Sequence, residues 1–194
     1  RVVAQEARHL IAQGVDAIHL CDAEFNLPLE HAKGVCRALI EAGLGEQWRW
    51  WAYLSPVPFD AELAELLVRA GCAGVNFGTD AGDAEMLRRL GRQYGPDDIR
   101  QTARLCRRQG LTFMCDLLLG GPGETRESLR RSIELMKEIG PDCVGVSFGM
   151  RLYAGTAVSR AVLAQGLTTD NPHLRGRVAD NEHMAWPIHY VEAG

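Results

Sequence analysis

Apolar and polar positions along the chain fall into a repeated unit. A stretch with helical period ends in a glycine, and a short apolar stretch follows. The helix ends are IAQG, IEAG, VRAG, RRQG and KEIG, which place Gly14, Gly43, Gly71, Gly110 and Gly140 at spacings of 29, 28, 39 and 30. Glycine just past a helix takes the left-handed cap conformation cheaply. The strand candidates that follow are VDAIHLCD, WRWWAYLSP, CAGVNFGTD, LTFMCDLLLG and PDCVGVSFGM. Leu63, Leu66, Leu67 and Ala70 share one face of the third helix, with Asp60 placed to cap it. Ile99, Ala103 and Cys106 line another helix, and Leu129, Ile133 and Met136 a further one that starts at Thr125.

Helices and strands alternating at about 30 residues predict βα units on a parallel sheet. A complete eight-stranded barrel takes roughly 250 residues, and 194 are present with five units visible. The expected fold is therefore α/β, a partial TIM-like (β/α) barrel over residues 1–160, with 161–194 as a C-terminal extension or lid where the repeat stops. The chain also starts on a helix, so a strand and its loop are expected upstream.

In such folds the working face lies at the carboxyl ends of the strands. There the sequence turns polar: Cys21, Asp22 and Glu24 after the first strand, Tyr53 and Ser55 after the second, and Asn76, Thr79 and Asp80 after the third. Gly120, Gly121 and Glu124 follow the fourth, and Ser147, Met150 and Arg151 end the fifth. Each loop alone is explained by capping of the next helix. Four acids on one rim suit a polar ligand with an amine and hydroxyl groups.

Composition narrows the classes. The hydrophobic fraction is 46%, the charged fraction 24% and the net charge −4, so bulk electrostatics indicate no nucleic-acid partner. Lys33 and Lys137 are the two lysines; the other basic residues are arginines, many between Arg88 and Arg108 on expected helix surfaces. No apolar run approaches the ~20 residues of a membrane span, and the first residues do not read as a signal peptide. The expectation is a cytoplasmic protein. The six cysteines form no CxxC pair, so neither a zinc knuckle nor a disulfide framework is expected, and most read as small buried hydrophobes.

The segment LLLGGPGETRES raises its own question. Its glycines resemble a phosphate loop, but the Gly-Lys-Ser/Thr ending is missing. A ligand cradle and a plain strand-to-helix turn are both open on these residues. Trp48, Trp50 and Trp51 could stack on a flat substrate, but packing between helix and strand is the preferred reading. His173, His183 and His189 match no metal spacing.

As an ordered set, DAEFNLP, GVNFGTDAGDAEMLRRLGRQY, LLLGGPGET and FGMRLYAGT resemble the radical S-adenosylmethionine (SAM) superfamily, from about Ile18 to Thr156. The likeness is greatest to its iron–sulfur oxidoreductase and methyltransferase branch, which often carries an upstream cobalamin-binding domain. The resemblance implies a (β/α)6 partial barrel that binds SAM. Asp22 and Glu24 stand where the family contacts the SAM amino group, in D-x-E form rather than Gly-Gly-Glu. Asn76, Thr79 and Asp80 stand where it contacts the ribose and methionine part, and Arg92 where an arginine pairs with the carboxylate. Leu117, Leu119, Gly121 and Glu124 match a motif beside the adenine, and Phe148 would supply an apolar wall.

The family's CxxxCxxC loop, whose thiolates hold a 4Fe-4S cluster, is absent from this sequence. The chain is accordingly expected to be a fragment whose cluster ligands lie outside it, inactive alone. The full-length protein would cleave SAM reductively to drive radical chemistry, methyl transfer included, on a small-molecule or peptide substrate. It would need a reductase or other electron donor, and cobalamin is a further cofactor the resemblance brings. The alternatives are a cluster-free barrel lyase using rim carboxylates as acid and base, and a non-catalytic SAM- or nucleotide-binding module. No lysine at a strand end supports Schiff-base chemistry.

Overall fold

A computed structural model describes residues 1–164, 166 and 168–192. In chain order the first elements are α1 (Val2–Ala12), β1 (Ala17–Leu20), α2 (Leu29–Glu41), β2 (Arg49–Leu54), α3 (Ala61–Arg69) and β3 (Cys72–Asp80). Next come α4 (Ala84–Arg89), α5 (Pro96–Gln109), β4 (Phe113–Leu119), α6 (Arg126–Ile139) and β5 (Cys143–Phe148). The last part holds β6 (Met150–Arg151), α7 (Ala157–Ala164), β7 (Leu174–Gly176) and β8 (Ile188–Tyr190). All five expected strands form, and they pair in parallel in the order β1-β2-β3-β4-β5. The long 39-residue spacing accommodates an extra short helix, α4, ahead of α5.

The strands alternate between a face packed under the helices and a concave face. Trp50, Leu54, Phe77, Phe113, Cys115 and Leu117 are buried under the helical layer. His19, Trp51, Tyr53, Asn76, Met114 and Asp116 take the alternate positions and share the concave face through the register. Of the three clustered tryptophans, Trp48 and Trp50 are core, whereas Trp51 is 37% exposed on this inner face. Cys36, Cys72, Cys106 and Cys115 are buried; burial raises the thiol pKa of Cys36 and Cys106 to about 12 and of Cys115 to about 11. Cys21 and Cys143 are exposed.

Helix α3 buries the residues its period assigns, and the Asp60 carboxylate accepts from the Leu63 amide at 2.8 Å. Helix α6 corrects its expected face: Ile133 is 41% exposed, and the buried side carries Ser128, Ser132, Leu135, Met136 and Ile139. The cause is close approach. A Cβ on Gly82 would lie 2.7 Å from the Ser132 Cα, and the Gly82 amide donates to Ser132 Oγ at 2.9 Å. Small polar residues allow this contact where a larger apolar side chain would not fit.

β5 differs from its neighbours. Val146 and Phe148, which pair with Leu117 and Leu119, are 60% and 69% exposed, so no described helix covers the outer face of this strand. Beyond it, β6, β8 and β7 form an antiparallel sheet with its own small core of Leu152, Val162, Leu174, Met184, Ile188 and Tyr190. The residues of this second core therefore begin before position 161. Among the described residues, no helix is long and apolar enough to cross a membrane.

Candidate functional site

The loop after β1 is tied down from below. Asn26, fully buried, donates through Nδ2 to the Ser55 and Pro58 carbonyls at 2.8 and 2.6 Å, and its Oδ1 accepts from the Ser55 amide at 2.9 Å. The Phe25 amide donates to the Tyr53 carbonyl at 2.8 Å. These bonds fix Glu24 at the carboxyl end of the sheet. Asn26 lies within DAEFNLP, but its anchoring role depends on a residue 29 positions away and has no local signal.

The end of β3 turns by a register shift between Gly78 and Asp80 against β4. Asp80 sits at φ +61°, a conformation that aspartate tolerates better than most residues. Arg92 is carried back to it by α4 and the following turn. The Arg92 Nε donates to Asp80 Oδ2 at 2.5 Å, and its Nη1 lies 3.8 Å from Glu24 Oε1. Tyr94 supports this segment, its hydroxyl donating to the Gly78 carbonyl at 2.9 Å. Burial raises the Asp80 pKa above the usual carboxylate value, with Arg92 opposing and the Asp116 charge reinforcing the rise. Glu24, Asp80 and Arg92 thus meet as the sequence motifs imply, and Asp22 lies exposed nearby on the same loop.

The other expected residues divide. Thr79 is fully buried, with its hydroxyl on the Phe77 carbonyl, and Leu119 is 8% exposed in the helix-facing core. Phe148 points to the uncovered outer face rather than the concave one. Strand alternation explains all three, because each sits one residue out of phase with the inner positions. Asn76 does face inward, and its Nδ2 donates to Asp116 Oδ2 at 2.8 Å.

In the GGPGE turn, Glu124 folds back so that its Oε2 accepts from the Gly120 amide. Its Oε1 is buried with no partner. Burial first, then Asp83 and Glu192, raises its pKa, against the lowering effect of the Gly120 and Gly121 amides. From the tail, Glu192 Oε2 accepts from the Gly123 amide at 2.5 Å, and the Glu192 amide donates to the Gly120 carbonyl at 2.9 Å. Thr125 caps α6, accepting from the Ser128 amide at 3.1 Å. The turn is held at both ends by carboxylates; Glu192 lies far off in sequence, and no local motif signals it.

The arrangement suits a zwitterion. The guanidinium offers a fork to a carboxylate, and Glu24 and Asp80 offer oxygens to an ammonium. Among the described residues, no group of three or more His, Cys, Asp or Glu side chains could hold a metal ion.

Known proteins share this fold. The family model described as the radical SAM superfamily matches residues 1–136. Tryptophan 2-C-methyltransferase from Streptomyces laurentii is 37% identical over 193 residues, covering 92% of this chain and 32% of that protein. The radical SAM methyltransferase TsrM from Kitasatospora setae superposes with a TM-score of 0.84 at 30% identity, covering 97% of this chain and 42% of that one. Its structures hold cobalamin and a 4Fe-4S cluster, or tryptophan substrate and the SAM analogue aza-SAM. OxsB, a cobalamin-dependent SAM radical enzyme, shares the fold with a TM-score of 0.71 at 13% identity. The chain spans about a third to two fifths of the length of the first two relatives. With five parallel strands in order and a family model that matches residues 1–136, the chain belongs to the radical SAM superfamily.

Proposed function

We propose that this chain is the SAM-binding barrel of a longer, cobalamin-dependent radical SAM methyltransferase acting on a small organic molecule. The observation that carries it is Arg92 joined to Asp80 and Glu24 at the sheet's carboxyl end, in a chain 37% identical to a tryptophan methyltransferase.

The residues present fit SAM. Arg92 would hold its carboxylate, and Glu24 and Asp80 would accept from its ammonium. Burial raises the Asp80 pKa and the Arg92 guanidinium opposes that rise, which favours the charged carboxylate. Glu124 and Glu192 hold the GGPGE turn in shape beside this rim. The described residues do not fit an iron–sulfur cluster, and its ligands are assigned outside this chain. When bound, SAM and its iron–sulfur partner supply the methyl-transfer and redox chemistry, with electrons from a reductase.

The test is anaerobic reconstitution of the full-length protein, followed by SAM binding and assays for methylated product, S-adenosylhomocysteine and 5′-deoxyadenosine. SAM binding that weakens in Arg92→Ala, together with turnover by the wild-type protein, supports the reading. A cluster-loaded protein that neither binds SAM nor forms any of these products overturns it.

A further inference from the structure

The small antiparallel sheet beyond β5 turns a charged face outward. Tyr190 of β8 pairs with Met150 on one side and Leu174 on the other, and Leu174, Ile188 and Tyr190 belong with Val162 of α7 to the second core. The neighbouring row has the opposite phase: His189 pairs with Arg151 and with Arg175. Directly paired residues share a face, and successive residues of a strand alternate between faces. Arg151, His189 and Arg175 therefore form one row on the face turned away from the core. With strands ~4.8 Å apart, the row is about 10 Å wide.

Two aromatic rings extend this row. The Arg151 guanidinium lies over Tyr153, 4.9 Å from the ring centre, and that of Arg177 over Trp186 at 5.3 Å. Both rings are 55% exposed, and Arg151, Arg175 and Arg177 are exposed as well. Arg175 donates to the Pro172 and Leu174 carbonyls at 2.6 and 2.8 Å. Among the described residues, none of these three arginines forms an ion pair, although Asp180 and Glu182 lie exposed in the turn between β7 and β8. On the barrel helices the pattern is different: Arg88 and Arg89 share Glu85, Arg100 holds Asp97 and Glu138, and Arg131 holds Asp83. The charged face also runs into an apolar one. Val191 follows His189 by two positions, and a Cβ on Gly120 would lie 3.6 Å from Val191 Cγ1 and 3.5 Å from Phe148 Cε2. Phe148 and Val146 are the exposed outer side chains of β5.

We infer that this surface docks an acidic segment of a partner protein, with carboxylates on Arg151, Arg175 and Arg177 and apolar side chains on Phe148 and Val146. Charge complementarity carries the first half. Exposed guanidiniums without an acid of their own are matched by carboxylates, which they bind through paired N–H groups. Arginine, tyrosine and tryptophan around an apolar strip are the make-up of a protein interface. A nucleic-acid strand also brings anions, but its phosphates have nothing to place on the apolar strip. Bases need open ring faces to stack on, and each ring here already carries a guanidinium on one face. The inference is independent of the SAM reading, because it requires nothing bound at Arg92.

Fluorescence anisotropy of the full-length protein tests it with three labelled probes: a peptide of four Glu-Glu-Phe repeats, its Gln-Gln-Phe counterpart, and a twelve-nucleotide thymidine strand. The Glu peptide should bind roughly tenfold or more tightly than the Gln peptide at low salt, and the margin should shrink at about 0.5 M NaCl, where exposed charges are screened. An exposed ion pair is worth about two- to fivefold in affinity. The combined Arg151→Ala, Arg175→Ala and Arg177→Ala variant should therefore weaken the Glu peptide roughly tenfold or more and leave the Gln peptide unchanged. Phe148→Ala should weaken both peptides alike. Melting curves establish that each variant is folded. Failure of the wild-type protein to bind the Glu peptide overturns the inference, as does equal binding of the two peptides or undiminished Glu-peptide binding by the folded triple variant. A thymidine strand that binds more tightly than the Glu peptide, and is lost in the triple variant, would overturn it in favour of nucleic acid.

Discussion

Arg92 donates to Asp80 across 2.5 Å while its other arm lies 3.8 Å from Glu24. One guanidinium therefore links the loops after the first and third strands. Replacing it with lysine keeps the charge and loses the planar fork. Arg92→Lys should weaken SAM binding to the full-length protein roughly tenfold, and Arg92→Ala roughly ten- to hundredfold. Isothermal titration reads both. Equal affinity in all three proteins would show that the arginine serves only the loops.

Asn26 makes three buried hydrogen bonds that hold the Glu24 loop. Asn26→Ala strands the Ser55 amide and two carbonyls away from water, and should cost about 3 kcal/mol or more. Urea unfolding measures this. SAM affinity should fall with it, because Glu24 loses its support.

Gly82 and Ser132 set the distance between α6 and the end of β3. A methyl on Gly82 meets backbone at 2.7 Å, which cannot yield cheaply. Gly82→Ala should destabilise by about 1–3 kcal/mol through overpacking. Ser132→Ala leaves the Gly82 amide without its acceptor but keeps the approach, and should cost about 1–2 kcal/mol. Melting temperatures of the pair separate fit from hydrogen bonding: Gly82→Ala should be the lower.

Glu124 gives a pH-dependent expectation. Burial raises its folded pKa above the unfolded value, so its stabilising contribution is complete below the unfolded pKa and is lost as pH rises through the folded one. Glu124→Gln keeps an acceptor for the Gly120 amide and carries no charge. Its melting temperature relative to wild type should therefore be more favourable at pH 8 than at pH 4. A constant difference across that range would show that the carboxylate ionises without cost.

The repeat, the five strands and their order were legible because glycine caps and helical period are local signals. Glu24, Asp80 and Arg92 were legible because each lies at a strand end or in a short motif. The face of α6 was not, since Ser128 and Ser132 bury polar side chains for the sake of close approach. Thr79, Leu119 and Phe148 were placed by motif position, and pleat phase turned them away from the concave face. Lys33, 4% exposed, holds Asp60 and Glu62 at 2.6 and 2.8 Å, a pairing between helices that carries no local signal. Glu192 and Asn26 act on loops tens of residues away, which only the folded chain reveals.

The two bonds from Glu192 to Gly120 and Gly123 join the small second core to the turn at the end of β4. Opening of one then exposes backbone groups of the other to water. The two regions should share a single cooperative unfolding unit, with the Gly123 and Glu192 amides exchanging hydrogen at matching rates. A protease nick in the tail would register at the glycine turn before it reached the helices behind it.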